Sequence, residues 1–328
     1  MKTSSHKNWK FDWYDTYSTG GRFVREDSLF RNWITADGSP GPSGCGGFEA
    51  ETDRYHLYVS LACPWAHRTL IYRKLKGLEG MISISIVNAF MGDKGWTFEP
   101  GQGVIPDDVN HVHYLYEIYR LVDPEYSKRG TVPVLWDKKR NTIVSNESSE
   151  IIRMFNYSFN HLGAKEIDFY PEFLRKEINK LNDLIYPNIN NGVYRAGFAT
   201  TQEAYDEAAR DVFNALDTLE SMLGKNRYLT GDTITEADWR LFPTLVRFDA
   251  IYFSHFKCNL KRLVDYPCLW GYTRDLYQQP GISDTIDMEY NKAHYYGSHE
   301  TINPTRIIPV GPVIDFTSPH NREQLDTG

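Results

Sequence analysis

This sequence predicts an α/β sandwich built on one small sheet, followed by an all-α half. Three observations predict it. Strand and helix signals alternate between residues 55 and 158. Beyond about residue 165 the signals are helical only. The 328 residues suit two domains at roughly 100–200 residues each. The order strand, helix, strand, helix, strand, strand, helix fits a sheet sandwiched with helices rather than an open doubly wound sheet.

Residues 1–46 are rich in Gly, Ser and aromatics, and Gly38-Ser39-Pro40-Gly41-Pro42-Ser43-Gly44 can be neither helix nor central strand. They read as an extended arm, and Trp9, Phe11, Trp13, Tyr14, Phe23, Phe30 and Trp33 imply that it packs on something. The alternation at 55–61 predicts a strand. Pro64 suits a first helical turn, Ala66, Leu70, Ile71 and Leu75 follow at helical spacing, and Gly77 is a stop. A second strand is expected at 82–86 and a helix at about 109–121. Strands at 132–136 and 142–145 flank the polar turn 137–141, and a helix opens at 147–154.

Leu174, Ile178, Leu181 and Ile185 share one helical face, as do Tyr205, Ala208, Val212, Leu216, Leu219 and Leu223, with Gly224 placed as the C′ residue. Thr235-Glu236-Ala237-Asp238 reads as a capping box opening a helix that Pro243 bends. A last helix is expected at 266–278 with Pro267 in its first turn, and the tail from 299, with its four prolines, is expected to be extended. The partition is an arm at 1–46, the α/β domain at 47–160, the helical domain at 161–298 and a tail at 299–328.

Net charge is −7, so no basic field is available for a general nucleic-acid or membrane-surface binder. No run reaches the roughly 18 apolar residues a membrane span needs. Met1-Lys2-Thr3-Ser4-Ser5-His6-Lys7 has no apolar stretch behind it to make a signal peptide, so the expected location is cytoplasmic. With 22 Tyr, 17 Phe and 8 Trp, the chain can build flat apolar slots for ring-shaped ligands, although such residues mostly build cores and interfaces. His111 and His113 are two apart on an expected helix and face apart, so they make no metal pair, and no dinucleotide-binding Gly fingerprint is present. No metal, flavin or nicotinamide is expected.

Cys45, Cys63, Cys258 and Cys268 match no zinc spacing and no disulfide framework, so free thiols are expected. Cys63 stands where a strand ends and a helix begins. Unpaired N–H groups and the helix dipole favour a thiolate there, and His67 and Arg68 add positive potential one turn on. The plain alternative is a buried structural Cys. A dithiol redox site would place a second Cys three residues on, where Ala66 stands. Cys63 is therefore a monothiol whose mixed disulfide an outside thiol must resolve, and glutathione is the obvious supply. The other three cysteines are core or surface thiols unless folding brings them close.

Two further elements frame this site. A cis Val132-Pro133 bond would expose the Val132 backbone to an extended peptide, but only about 5–6% of X-Pro bonds are cis. In Ser145-Asn146-Glu147-Ser148, backbone N–H groups and Ser148 could hold a carboxylate while Glu147 accepts an amine. Taken alone, the same residues read sooner as a plain N-cap with Glu in the first turn.

Taken together these features resemble the glutathione transferase architecture, a thioredoxin-like N-terminal domain followed by a helical C-terminal domain. Four segments sharpen the likeness: Leu61-Ala62-Cys63-Pro64-Trp65-Ala66-His67-Arg68-Thr69, Gly95-Trp96-Thr97-Phe98, Thr131-Val132-Pro133-Val134-Leu135-Trp136-Asp137 and Val144-Ser145-Asn146-Glu147-Ser148. They look like the glutathionyl-hydroquinone reductases, the Xi class of that superfamily. The resemblance implies that Cys63 attacks a glutathionyl sulfur. It implies that Val132 pairs its backbone with glutathione while Pro133 is cis, and that Glu147 and Ser148 hold the γ-glutamyl end. It implies that Trp96 and Arg129 contact the rest of the tripeptide, with Lys128 a neighbour able to replace Arg129. It implies too that Tyr194 and Tyr295 lie over the hydroquinone ring or bond its oxygens, with Tyr296 an alternative. Each tyrosine taken alone reads as core packing; only the family pattern singles these out. The resemblance further implies a homodimer, with arm and tail as its elements.

Two competing readings stand. One is a general thioltransferase or dehydroascorbate reductase on the same scaffold. The other is a non-catalytic binding protein, whose Cys63 would label only above about pH 8.5.

Overall fold

The computed structural model describes residues 15–325, and Trp9, Phe11, Trp13 and Tyr14 of the arm lie outside the described residues. Strand β1 (Tyr55–Val59) is buried along its whole length, as expected of a strand covered on both faces. It pairs in parallel with β2 (Ile82–Ile86) and antiparallel with β3 (Val134–Asp137), which pairs antiparallel with β4 (Thr142–Ser145). The order is β2-β1-β3-β4. The described arm covers the β4 edge: Asn32 N–H donates to the Val144 carbonyl at 2.8 Å, and Phe30 and Asn146 exchange bonds at 3.0 and 3.1 Å. Phe23 and Ile34 of the arm are buried.

Helix α1 (Pro64–Leu75) begins one residue after Cys63 with Pro64 at its first position. It packs on α3 (Ser148–Tyr157) and on the helical half. Helix α2 (Leu115–Val122) starts about six residues later than its hydrophobic pattern suggests. The Asp107 carboxylate accepts from the N–H groups of Val109, Asn110 and Val112 at 3.1–3.2 Å, and His111 takes φ +55°. A carboxylate that collects local N–H groups competes with a helix for them. His111 and His113 therefore lie in a loop, not on a helix.

The second half comprises α4 (Arg175–Ile185), a π-helical turn at Tyr186–Asn190, α5 (Gly192–Gly197), α6 (Gln202–Leu223), α7 (Glu236–Arg247), a second π-helical turn at Phe248–Tyr252, and α8 (Pro267–Tyr277). A further helix, α9 (Met288–Ser298), was not signalled by the sequence pattern. Gly224 caps α6 with φ −68°, not the left-handed value expected of a C′ glycine, because the chain keeps turning right-handed and Lys225 and Asn226 bond back to Met222. The capping box of α7 forms as read: Asp238 accepts from Thr235 N–H at 2.7 Å, and from Leu229 N–H and the Tyr272 hydroxyl. Buried Arg54 and Asp137 tie the end of β3 to the start of β1 with bonds of 2.5–3.1 Å. No described helix is long and apolar enough to cross a membrane.

Candidate active site

The chain leaves β1 through a short turn, Cys63 N–H bonding to the Ser60 carbonyl at 3.2 Å, and Cys63 becomes the N-cap of α1. Its part-exposed thiol donates to the Val132 carbonyl at 3.4 Å. The Val132-Pro133 bond is cis. The nucleophile candidate and the cis-proline backbone thus meet directly.

The electrostatics differ from the sequence expectation. Burial pushes the Cys63 thiol up; the N–H groups of Ala66 and Trp65 and the charges of Arg25 and Arg247 pull it down without overcoming burial. His67 and Arg68 are not the cations involved. His67 is buried and neutral: its Nδ1 accepts from Arg247 at 2.9 Å, and its Nε2 faces the Thr285 hydroxyl at 2.8 Å. Burial, with Arg247 beside it, holds its imidazolium form well below the usual range. Arg68 turns the other way, to Asn190 at 2.7 Å, the Arg240 carbonyl at 3.1 Å and Ser148 at 3.5 Å. Burial and Arg240 bring it down to about 9, so it still carries charge at neutral pH. Burial alone raises the thiol, so labelling only at high pH does not by itself mark a non-catalytic protein.

Two compartments share the walls Arg25, Trp65, Arg129, Thr131 and Val132, and Cys63 lines the second of them. The polar one is bounded by Arg25, Ser28, Trp65, Arg129, Glu147 and Ser148. Glu147 caps α3: one oxygen accepts from Ser149 N–H at 3.0 Å and its hydroxyl at 2.7 Å, the other from Ser28 at 3.0 Å. Burial raises its carboxyl, but the bonds from Ser149 and Ser28 and the charge of Arg68 outweigh that and hold it below the usual range. The N-cap reading is thus structurally satisfied, and the capped carboxylate also faces the pocket beside Ser148. Arg129 borders both compartments, whereas Lys128 borders the polar one alone and pairs with Glu26 at 3.1 Å.

The other compartment is aromatic. Trp96 stacks on His294 with ring centroids 4.5 Å apart, and Tyr194, Phe198, Tyr295 and His299 complete the walls around Cys63. The Tyr194 and Tyr295 hydroxyls are 2.6 Å apart, and Tyr252 adds a third hydroxyl 3.2 Å from that of Tyr295. Burial pushes all three phenols up, so they are protonated donors at neutral pH. Tyr296 points away, donating to the Ala250 carbonyl at 3.1 Å and meeting Ser254, and is not in this wall.

Sequence reasoning missed Arg25, Arg247, Tyr252, His294 and His299. Arg25 arrives from the arm, its guanidinium 4.9 Å from the Trp65 ring and 5.1 Å from that of Tyr194. The two histidines bracket Tyr295 on and just after α9. A run of polar and aromatic residues with no apolar period hides that helix; its one signal is Asp287, whose side chain accepts from Tyr290 N–H.

Comparison with known proteins matches this architecture. The family model for the glutathione S-transferase N-terminal domain covers residues 62–157, and that for the C-terminal domain covers residues 202–275. The chain is 60% identical over 316 residues to the glutathionyl-hydroquinone reductase YqjG of Escherichia coli, covering 96% of each chain. It is 54% identical over 304 residues to the glutathionyl-hydroquinone reductase PcpF of Sphingobium chlorophenolicum, covering 93% and 94%. The glutathione-bound structure of YqjG superposes with a TM-score of 0.89 at 59% identity, over 90% of this chain and 96% of that one. The Xi glutathione transferase of Phanerochaete chrysosporium gives 0.85 at 50% identity, over 90% and 99%. On these matches the chain belongs to the glutathione transferase superfamily, in its Xi class of glutathionyl-hydroquinone reductases.

Proposed function

We propose that this protein reduces glutathionyl-hydroquinones to hydroquinones at the expense of a second glutathione. The observation that carries the reading is Cys63 in a compartment walled by Tyr194 and Tyr295, its thiol on the carbonyl of Val132, which also lines the adjoining polar compartment. Glutathione lies in the polar compartment: its cysteinyl N–H pairs with the Val132 carbonyl, and its γ-glutamyl end meets Glu147 and Ser148. Arg129 bounds it where the compartments meet, and Trp96 lies beyond, in the aromatic one. The aromatic ring lies against Tyr194 and Tyr295.

The substrate is an aromatic thioether. The ring takes up its keto form, a proton moving from a ring hydroxyl to the sulfur-bearing carbon. The tyrosine hydroxyls donate to the ring oxygens and help that transfer. Cys63 thiolate then attacks the glutathionyl sulfur. The S–S bond forms, the C–S bond breaks, and the electron pair returns to the ring, which leaves as hydroquinone after protonation at oxygen. A second glutathione attacks the Cys63–glutathione disulfide, releasing oxidised glutathione and the Cys63 thiol.

The protein acts in the cytoplasm as a homodimer, a state supported by the tail, which exposes Val310 and Val313 almost completely. Single-turnover mixing with one equivalent of glutathionyl-hydroquinone and no free glutathione tests the chemistry. Mass spectrometry then finds glutathione on Cys63 and one equivalent of free hydroquinone. Hydroquinone release with an unmodified Cys63 contradicts the reading.

A further inference from the structure

Arg247 ends α7 at the point where the helix passes into its π-helical turn, and it is completely buried. Its Nε donates to the Ala62 carbonyl at 3.1 Å and to Asn291 Oδ1 at 2.6 Å. One terminal nitrogen donates to the Pro243 carbonyl and to His67 Nδ1, both at 2.9 Å, and the other to the Leu61 carbonyl at 2.8 Å. Every one of these acceptors is neutral. The buried guanidinium of Arg54, by contrast, meets Asp137. A buried cation held by dipoles alone is costly, and an anion formed nearby relieves that cost. Leu61 and Ala62 are the two residues that lead into Cys63.

We propose that Arg247 is the positioning residue of the nucleophile: it clamps the carbonyls of Leu61 and Ala62, and its buried charge is balanced by the Cys63 thiolate. The proposal rests on Cys63 being the nucleophile. The other groups facing Cys63 are Arg25 from the arm, Tyr194 from α5, Tyr252 from the π-helical turn and Tyr290 from α9. Burial keeps the three phenols neutral, so the cations acting on the thiolate are Arg25 and Arg247. His67, packed against Arg247, is neutral and only relays its geometry. Sequence reading placed the activating charge on His67 and Arg68; the structure assigns it to a residue 184 positions beyond Cys63, at the end of a different helix.

The test is the pH midpoint of Cys63 alkylation by iodoacetamide in the full-length protein, followed by mass spectrometry of the Cys63 peptide. It reads the thiol without any substrate, so it fails or succeeds independently of turnover. Arg247→Gln raises the midpoint by about one pH unit, the low end of what a nearby charge does, and Arg247→Lys restores most of that shift. His67 supplies a second arm that leaves the guanidinium in place. His67→Asp sets a carboxylate oxygen where Nδ1 stood and gives Arg247 a charged partner, while His67→Asn sets a neutral oxygen there. Both lose the Thr285 contact equally, so only charge separates them. The Asp variant raises the midpoint by about one unit relative to the Asn variant. Equal midpoints in the two His67 variants overturn the proposal, as does an Arg247→Gln protein that folds and keeps the wild-type midpoint.

Discussion

Replacing Tyr295 by Phe removes one oxygen from the centre of the tyrosine chain. That oxygen lies 2.6 Å from the Tyr194 hydroxyl and 3.2 Å from that of Tyr252, in a side chain only 1% exposed. Without it, two buried hydroxyls lose a partner, which costs about 1–3 kcal/mol of stability. The chemical effect is separable from that cost. If the chain donates to the ring oxygens, its loss lowers the rate of thioether cleavage by about 100-fold, the low end for a positioned acid, or about 2.7 kcal/mol of barrier. Exchange of Cys63 with a small glutathionyl disulfide needs no proton at carbon and falls less than about 3-fold, because the nucleophile is untouched. The assay is a pair of rates on one preparation, hydroquinone release and disulfide exchange. Equal losses in both refute the reasoning, since they mean that Tyr295 only shapes the pocket. Tyr296→Phe is the control: its hydroxyl faces Ala250 and Ser254, and both rates stay within about 2-fold of wild type.

Glu147→Gln raises the Michaelis constant for glutathione by about 10-fold or more, because a charge-assisted bond is lost, while turnover at saturation changes little; steady-state kinetics in glutathione reports it. The wild-type carboxyl is held below its usual 4.5 in the folded protein, so it stays ionised as pH falls through that value. Its contribution to stability is complete above the unfolded value and disappears only as pH falls through the lower folded one. The Michaelis constant for glutathione therefore stays flat between about pH 7 and 5, and a rise across that window contradicts the assigned role. Asp137→Ala leaves the buried Arg54 guanidinium without its main partner and lowers stability by about 3 kcal/mol in urea unfolding. A loss below about 1 kcal/mol means that Glu51 and the Gly47 carbonyl, which also hold Arg54, suffice.

The strands, α1 and the capping box of α7 were legible because each rests on local pattern: alternation at 55–59, Pro64 after Cys63, Thr235 three residues before Asp238. The α2 start was not legible, since Asp107 gathers N–H groups that the hydrophobic pattern assigns to a helix. Helix α9 was invisible because it is buried with its polar residues inward, so no apolar stripe marks it. At the site, the residues named from the motifs line two adjoining compartments, Trp96, Tyr194 and Tyr295 with Cys63 and Pro133, Glu147 and Ser148 in the other, while Tyr296 faces away. The electrostatics could not be read from neighbours in sequence. The side chains of His67 and Arg68, one turn along α1, are spent on Thr285, Asn190 and the Arg240 carbonyl, while the effective charges come from Arg25 and Arg247. Only the fold brings those two to the thiol.

Turnover of a glutathionylated hydroquinone such as glutathionyl-menadiol, with glutathione present, beside a Cys63→Ala variant, tests the central claim most directly. Chromatography should show free hydroquinone with one oxidised glutathione per turnover in the wild type and none in the variant. An inert wild type whose Cys63 still exchanges with small disulfides would leave fold and nucleophile standing, contradict the substrate, and make a general thioltransferase the better account.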